Sequence, residues 1–248
     1  MSSDIHLSKA PIVEGLIDIR VKPADGFKSA GLLAVHDLIK ERYPSHKEAL
    51  RLQASFEFKE GEGAEQSVRS QKVGYRFDSA DGRYVLQVQH GGFTVSRLKP
   101  YETWETLFAE ARRLWAHYAS VARPQAITRV ATRYINRIEL DAVQLDFDDY
   151  LAAPPNIPKR LPQIISEFLT RIVLTENDTG ASIVLTQALE PMNLANNTVP
   201  VIIDIDVFKE VAFAVDSEDY WQLLSQFRRL KNKVFFDSIT DKTLELLR

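Results

Sequence analysis

The sequence predicts an α+β fold in which helices cover one face of a large antiparallel sheet. Most of the chain consists of strand-like runs of β-branched and aromatic residues separated by turn signals, and two long apolar helical stripes interrupt these runs. Each stripe follows a group of strands. Strands in groups followed by a helix are typical of α+β proteins, because a parallel α/β sheet alternates single strands with helices.

The first half of the chain begins with a strand and a helix. Residues 11–22 (PIVEGLIDIRVK) are apolar on both sides except for Glu14, Asp18 and Arg20, which share one side. Apolar residues then recur at helical spacing until Pro44. The pattern further predicts a strand at residues 49–59, a mobile connection at 61–70, and a three-stranded meander at 72–98 that turns at Asp81-Gly82 and Gly91-Gly92.

The strongest helix signal is the apolar stripe from Trp104 to Tyr118, which Pro124 ends. The strand that follows, residues 126–141, carries three arginines. The remaining predicted elements are a proline-rich loop at 154–162, a hairpin at 168–175 and 181–189, a strand at 201–209, a helix from about 216 to 233 and a short helix at 240–247.

The order of elements is similar in residues 1–123 and 124–248. The strand runs Leu16-Ile17-Asp18-Ile19 and Ile202-Ile203-Asp204-Ile205 also resemble each other. We therefore expect a single α+β domain, 1–248, that can be divided into two intimately packed halves.

Composition excludes several functional classes. The 248 residues are 45% hydrophobic and 26% charged, with no cysteine and a formal charge of −3. The absence of cysteine rules out disulfides, thiolate catalysis and thiolate metal sites. No apolar run approaches the ~18 residues that a membrane helix needs, and the start lacks an export signal, so we expect a cytoplasmic protein without membrane contact.

The three arginines of residues 126–141 are the main candidate site. On a strand, Arg129, Arg133 and Arg137 share one face at a spacing of about 13 Å. Guanidinium groups in a row can bind a phosphate, a carboxylate or a nucleic-acid backbone. Alternatively, they pair across strands with acids of neighbouring strands, and this interpretation is the favoured one.

Asp204 and Asp206 form a candidate metal site, because both point to the same side of one strand. Glu14 and Asp18 are the residues that could add a third ligand. No cofactor is expected, but a divalent metal is a possible one. The same four acids are the predicted partners of the arginine row, so the two interpretations compete.

No catalytic motif is present. The sequence contains no HExxH, Gly-x-Ser-x-Gly, GxGxxG or GxxxxGK pattern. Lys159 and Arg160, within the proline-rich loop, are candidates for contact with a partner. The net charge argues against a dedicated nucleic-acid-binding protein, although basic residues exceed acidic ones locally from Arg97 to Arg137.

Three stretches carry a family resemblance. They are KAPIVEGLIDIRV, the block from GGFTVSRLKPYETW to ITRVATRYINRIEL, and IIDIDVF with FFDSITDKTLELL. Together they resemble a sporadically distributed family of uncharacterised bacterial proteins of about 250 residues, most specifically in RYINR (133–137) and PYETW (100–104). The resemblance implies a bacterial cytoplasmic protein with accessory work, in a mobile-element, defence or stress module. It implies no catalytic residues.

Three functions are therefore open. The first is a non-catalytic binding or interaction protein that acts through a protein partner or as a homo-oligomer. The second is a metal-dependent enzyme or sensor of a phosphorylated small molecule or nucleotide, which would use the arginine row and the aspartate pair. The third and weakest is nucleic-acid binding.

Overall fold

The computed structural model describes residues 7–58, 64–143 and 145–248, without the side chains of residues 51–70. They form one nine-stranded antiparallel sheet with helices packed on it, so the α+β prediction is confirmed. The strands are β1 (Ile12–Lys22), β2 (Ser45–Phe58), β3 (Ala64–Asp78), β4 (Tyr84–Gln89), β5 (Gly92–Leu98), β6 (Ala126–Asp141), β7 (Leu169–Thr175), β8 (Ser182–Leu189) and β9 (Thr198–Phe213).

Four α-helices accompany the sheet in the described residues: α1 (Ala34–Ile39), α2 (Trp104–Ala122), α3 (Asp219–Asp237) and α4 (Asp241–Leu246). The α2 helix begins where the Thr103 hydroxyl accepts a hydrogen bond from the Thr106 N–H. It ends at Arg123, which has a left-handed φ of 44°. None of these helices is both long and apolar enough to span a membrane.

The strand order across the sheet is β2-β3-β4-β5-β1-β6-β9-β8-β7. In each half, a meander runs inwards from the sheet edge and its last strand pairs with the first strand of that half, as β5 does with β1 and β9 with β6. Each last strand then leads into a long helix. The two halves meet where β1 pairs with β6, so they share one continuous sheet.

The core lies between the sheet and the two long helices. Ile17 and Ile19 of β1, Tyr134 of β6 and Ile205 of β9 all point into it and are almost completely buried. Their strand neighbours point to the opposite face, which we call the open face, because strand residues alternate between faces. The charged residues of β1, β6 and β9 lie on this open face.

Two local predictions were wrong. Residues 64–70, expected to belong to a mobile connection at 61–70, form part of β3, which pairs with β2. Residues 61–63 of that segment lie outside the described residues. The first helix is also shorter than its apolar spacing suggested. It consists of a 3₁₀ turn at Ser29–Leu33 followed by α1.

Candidate functional site

The arginine row lies on the open face, and its members meet carboxylates. Arg129 donates from Nη1 to Asp18 Oδ2 at 3.1 Å and from Nη2 to Asp206 Oδ2 at 3.4 Å. Asp18 is buried and also accepts hydrogen bonds from Arg20 Nε at 2.9 Å and Thr94 Oγ1 at 2.6 Å. Arg129 is therefore the centre of a charge network that spans β1, β6 and β9.

Arg133 forms a two-pronged ion pair with Asp204. Its Nε donates to Oδ1 at 2.8 Å and its Nη2 donates to Oδ2 at 2.5 Å. The backbone of Arg133 is paired with Asp206, so its side chain reaches diagonally across to Asp204. The hydrogen bonds to Asp204 raise the pKa of the Arg133 guanidinium above its usual value. Both oxygens of Asp204 are engaged by one guanidinium.

Arg137 does not meet any of the four acids predicted for the row. It donates instead from Nε to Glu190 Oε2 at 2.7 Å and from Nη1 to Glu139 on its own strand. Glu190 follows β8 and lies 53 residues away in sequence, which strand periodicity does not reveal. The cross-strand pairing interpretation thus holds for Arg129 and Arg133, and Arg137 pairs with different acids.

The four candidate metal ligands are not brought together as one site. Asp18 and Asp204 have their oxygens occupied by guanidinium or hydroxyl donors, and Glu14 forms no ion pair with a described residue. Within the described residues, no group of three acidic or histidine side chains is arranged to hold a metal ion. Metal binding by Asp204, Asp206, Glu14 and Asp18 stays a prediction, which a rise in melting temperature with Mg²⁺ or Mn²⁺ would test.

Asp206 differs from Asp204 in its environment. Burial raises its pKa, and Asp18 and Asp204 raise it further, whereas Arg129 and Arg133 act in the opposite direction. Its closest cation contact is the 3.4 Å bond to Arg129. Asp204 and Asp206 lie on the same face of β9, but the negative charge of Asp204 is more fully neutralised by arginine than that of Asp206.

Lys159 and Arg160 lie exposed in a turn at the tip of the proline-rich loop. The two sides of this loop line a cleft of about 890 Å³, together with residues that follow β6 and precede β9. Among its lining side chains are Phe147, Ile164 and Met192. The predicted partner-contact residues are thus next to a partly apolar cleft but do not line it.

Exposed apolar side chains concentrate in this part of the chain. Nine of the thirteen large apolar side chains that are exposed in the described residues fall between Val143 and Leu194. Four of the nine belong to β7, which is an edge strand. Leu169 and Val173 are 72% and 54% exposed on one face of β7, and Ile172 and Leu174 are exposed on the other.

No strand formed by residues 7–58, 64–143 or 145–248 pairs with the outer edge of β7. The Glu176 N–H donates to the Ala181 carbonyl, and the Phe168 carbonyl accepts from Leu189, so even-numbered residues direct their polar backbone groups towards β8. Leu169, Arg171 and Val173 consequently direct theirs away from the sheet. Sequence periodicity identified this strand but not its position at the edge, because position depends on strand order.

A second cluster was missed by the sequence reasoning. Arg97 of β5 points towards α2 and is only 1% exposed, although arginine is rarely buried. Its Nη2 donates to Glu102 Oε1 at 2.6 Å, while its Nε and Nη1 have no hydrogen-bond partner among the described residues. The available signal was the single charge in the otherwise apolar side of GFTVSRL.

Lys231 of α3 is a second deeply buried cation on the helix side. It is 8% exposed, and its Nζ lies 3.6 Å from the centroid of the Tyr134 ring. Burial, with a smaller contribution from the charge of Arg228, lowers the pKa of Lys231 to about 7. The hydroxyls of Tyr134 and Tyr101 are 2.7 Å apart, so the RYINR and PYETW segments meet beside this lysine.

Comparisons with known proteins assign no family. No protein-family model matches the sequence, and a search of curated proteins finds no match. The geometry of the clusters described above is therefore the basis for any functional conclusion.

Proposed function

We propose that this chain is a non-catalytic interaction protein whose contact surface is the open edge of β7. We further propose, from the family resemblance, that it works in the bacterial cytoplasm within a mobile-element, defence or stress module. The observation that carries the proposal is the combination of exposed apolar side chains on both faces of β7 and outward backbone groups that no described residue pairs with.

Sheet edges are usually protected against pairing with another chain. Lysines, prolines, bulges or very short strands are the common protective features. The seven residues of β7 (LTRIVLT) contain neither lysine nor proline, and β7 pairs with β8 without a bulge. The opposite edge, β2, begins with the charged sequence SHKE. An extended segment that adds to β7 would satisfy its backbone groups and cover its apolar side chains.

The occupant that the sequence of β7 fits is a second copy of the same strand. Antiparallel pairing about a two-fold axis at Val173 places Val173 opposite Val173 and Ile172 opposite Leu174. It also places Arg171 opposite Thr175. A two-fold axis at Ile172 instead brings the two Arg171 side chains into diagonal contact, which is unfavourable. The axis at Val173 is therefore the pairing we propose.

Cross-linking tests this arrangement directly, because the chain has no cysteine. A Val173→Cys variant should form a covalent dimer under mild oxidation, since residues opposite each other on antiparallel strands lie within disulfide range. Leu194→Cys is the matched control: Leu194 is exposed in a loop outside β7 and should stay monomeric on denaturing gels.

The companion measurement is the mass in solution. The natural chain should be a dimer, and Val173→Glu should be a monomer, because it places two carboxylates opposite each other. A natural chain that remains a monomer at every concentration measured, with no selective Val173→Cys cross-link, would rule out the β7 contact. Unchanged dimerisation of Val173→Glu would place the contact elsewhere.

A further inference from the structure

A small cleft between β4, β5 and α2 contains a buried arginine, Arg97, whose hydrogen-bond donors are only partly filled by the described residues. Its volume is about 360 Å³, within the range of small-ligand pockets. Three arginines line it, Arg42, Arg97 and Arg113, together with the carboxylates of Asp81, Glu102 and Glu110. This cleft is separate from the arginine row and from the β7 edge, so it is independent of the function proposed above.

The three arginines differ in how well their charges are compensated. Glu110 is buried and accepts hydrogen bonds from Arg113 at 2.8 and 3.0 Å, from Arg42 at 3.2 Å and from the Tyr43 hydroxyl at 2.6 Å. Arg42 and Arg113 therefore share one carboxylate. Among the described residues, Glu102 is the one hydrogen-bond acceptor of Arg97, and it also accepts from Arg83 at 3.2 Å. Asp81 also lines the cleft, but its Oδ1 accepts from the Ser79 hydroxyl and the Arg83 N–H, and it forms no hydrogen bond with Arg97. The cleft holds more cationic donors than its carboxylates satisfy.

Arg97 shows the largest deficit. A guanidinium carries five N–H donors, and the Nε and Nη1 of Arg97 hold one and two of them, so three of five lack an acceptor among the described residues. A buried unpaired donor costs about 1–3 kcal/mol, and more when it is charged. The guanidinium is also fixed in place, because it lies over the Tyr84 ring at 4.8 Å, as Arg42 does at 5.2 Å.

Glu102 occupies the place where an external anion would bind. It is 46% exposed and precedes α2, so it can turn outwards, whereas Arg97 cannot. A carboxylate has two oxygens, one of which Glu102 uses for both Arg97 and Arg83. A tetrahedral phosphate group offers three terminal oxygens and a larger charge, and arginines are well suited to it.

We infer that this cleft binds the phosphate group of a small phosphorylated molecule, with Arg97, Arg42 and Arg113 as its ligands and Glu102 as the group that the phosphate displaces. Glu110 holds Arg42 and Arg113 in position and does not contact the ligand. No covalent step is involved.

Calorimetric titration of the full chain with inorganic phosphate, in a low-chloride buffer, tests the site. The Glu102→Gln variant should bind phosphate about tenfold more tightly, because the competing charge is removed. This gain is the decisive result, since a merely structural Glu102 would weaken or not affect binding. Ala109→Phe, which fills the cleft and keeps every charge, should abolish binding.

Controls separate this site from non-specific attraction. Arg112→Met removes one cation from α2 beside Arg113, but Arg112 pairs with Glu218 outside the cleft, so phosphate affinity should not change. Val173→Glu should likewise have no effect, because β7 is not involved. Acetate, which has two oxygens, should bind at least about tenfold more weakly than phosphate.

Phosphate binding that is absent in both the natural chain and Glu102→Gln would overturn the proposal. Equal affinity for acetate and phosphate, or an equal loss in Arg112→Met and Ala109→Phe, would overturn it as well. Arg97→Met should lose binding, but it tests the site only if circular dichroism shows that the variant is folded, and for that reason Glu102→Gln and Ala109→Phe carry the test.

Discussion

The cations on the two faces of the sheet differ in burial and in the number of acceptors that they contact. On the open face, Arg129, Arg133 and Arg137 are at least a fifth exposed, and each is matched by one or more carboxylates. On the helix side, Arg97 and Lys231 are almost completely buried, and they have fewer acceptors. The more conspicuous row of charges in the sequence is thus the better compensated one.

This difference shows which feature of a charged cluster indicates a ligand. A row of like charges on a strand attracts attention, but neighbouring strands can supply the opposite charges at low cost. A buried cation with unfilled donors has already lost its hydration, and no protein group replaces it. Incomplete hydrogen bonding, rather than the number of charges, distinguishes the Arg97 cleft from the arginine row.

The largest effect that we expect from disturbing either cluster is that of Glu110→Gln on the helix side. It should lower the free energy of unfolding by about 3 kcal/mol, because a buried carboxylate that holds two guanidinium groups loses its charge. Chemical denaturation at pH 7 measures this loss. Glu105→Gln is the matched control, since Glu105 is exposed and its one ion pair with a described residue is to Arg228, and the substitution should cost less than about 1 kcal/mol.

The loss should also depend on pH. Burial raises the pKa of Glu110, but the hydrogen bonds from Arg113 and Tyr43 outweigh burial, so the net pKa is lowered. The stability that the carboxylate contributes is therefore present above the unfolded-state pKa and disappears as the pH falls through the folded-state pKa. A difference between the natural chain and Glu110→Gln that persists unchanged into strong acid would contradict this account.

Lys231→Met should have the next largest effect on the free energy of unfolding, and at pH 7 it should raise this free energy. Burial lowers the pKa of Lys231 to about 7 from an unfolded-state value near 10.5. The unfolded chain consequently binds more protons between these values, so the stability of the natural chain rises by about 1.4 kcal/mol per pH unit above pH 7. The variant has no Lys231 to titrate and therefore lacks this rise. Its free energy of unfolding relative to that of the natural chain should consequently fall by roughly 3 kcal/mol between pH 7 and pH 9.

Lys233 provides the control for this pH dependence. It lies on the same helix, is exposed and pairs with Asp237. Lys233→Met should follow the natural chain at both pH values. If Lys231→Met and the natural chain show parallel stability curves from pH 7 to 9, Lys231 is charged in the fold throughout, and the Tyr134 ring compensates its burial fully.

The comparison also shows what the sequence can and cannot predict. The bounds of β6 match the prediction, because a long run of β-branched, apolar and alternating polar residues is a strong local signal, even though the pairing register shifts at Ile127–Arg129. The β7–β8 hairpin was predicted for the same reason. The first helix was predicted too long, since apolar spacing near Phe27 continues into a 3₁₀ turn that packs without being α-helical.

The sites were less predictable, because each depends on contacts that are distant in sequence. Arg137 and Glu110 each have one partner near in sequence, but Glu190, which binds Arg137, lies 53 residues away, and Arg42 and Tyr43, which bind Glu110, lie 67–68 residues away. The order of the strands in the sheet decides whether β7 is central or at an edge. The sequence of β7 alone does not reveal that order. Local periodicity predicts which face of the sheet a side chain lies on. Whether that side chain finds a hydrogen-bond or ion-pair partner depends on how the strands are assembled.

The smallest effects are expected on the open face, where Asp204 and Asp206 form a matched pair. Asp204→Asn should lower the free energy of unfolding by about 1–2 kcal/mol, because it breaks the two-pronged pair with the half-exposed Arg133. Asp206→Asn should leave stability unchanged or raise it slightly. Burial raises the pKa of Asp206, so the folded state holds a proton more tightly than the unfolded chain, and stability is lost as the pH rises through that range.

Denaturation of both variants, with and without Mg²⁺, completes the comparison of the two faces. If Asp204 and Asp206 serve only to neutralise the arginine row, the two variants should differ in stability as described, and Mg²⁺ should not alter the melting temperature of the natural chain. A rise with Mg²⁺ that both variants abolish would instead mean that the acids bind a metal, because only a ligand of the native state stabilises it in this way. The open face would then be a functional site despite its compensated charges, and unfilled donors would no longer be the feature that separates the two clusters.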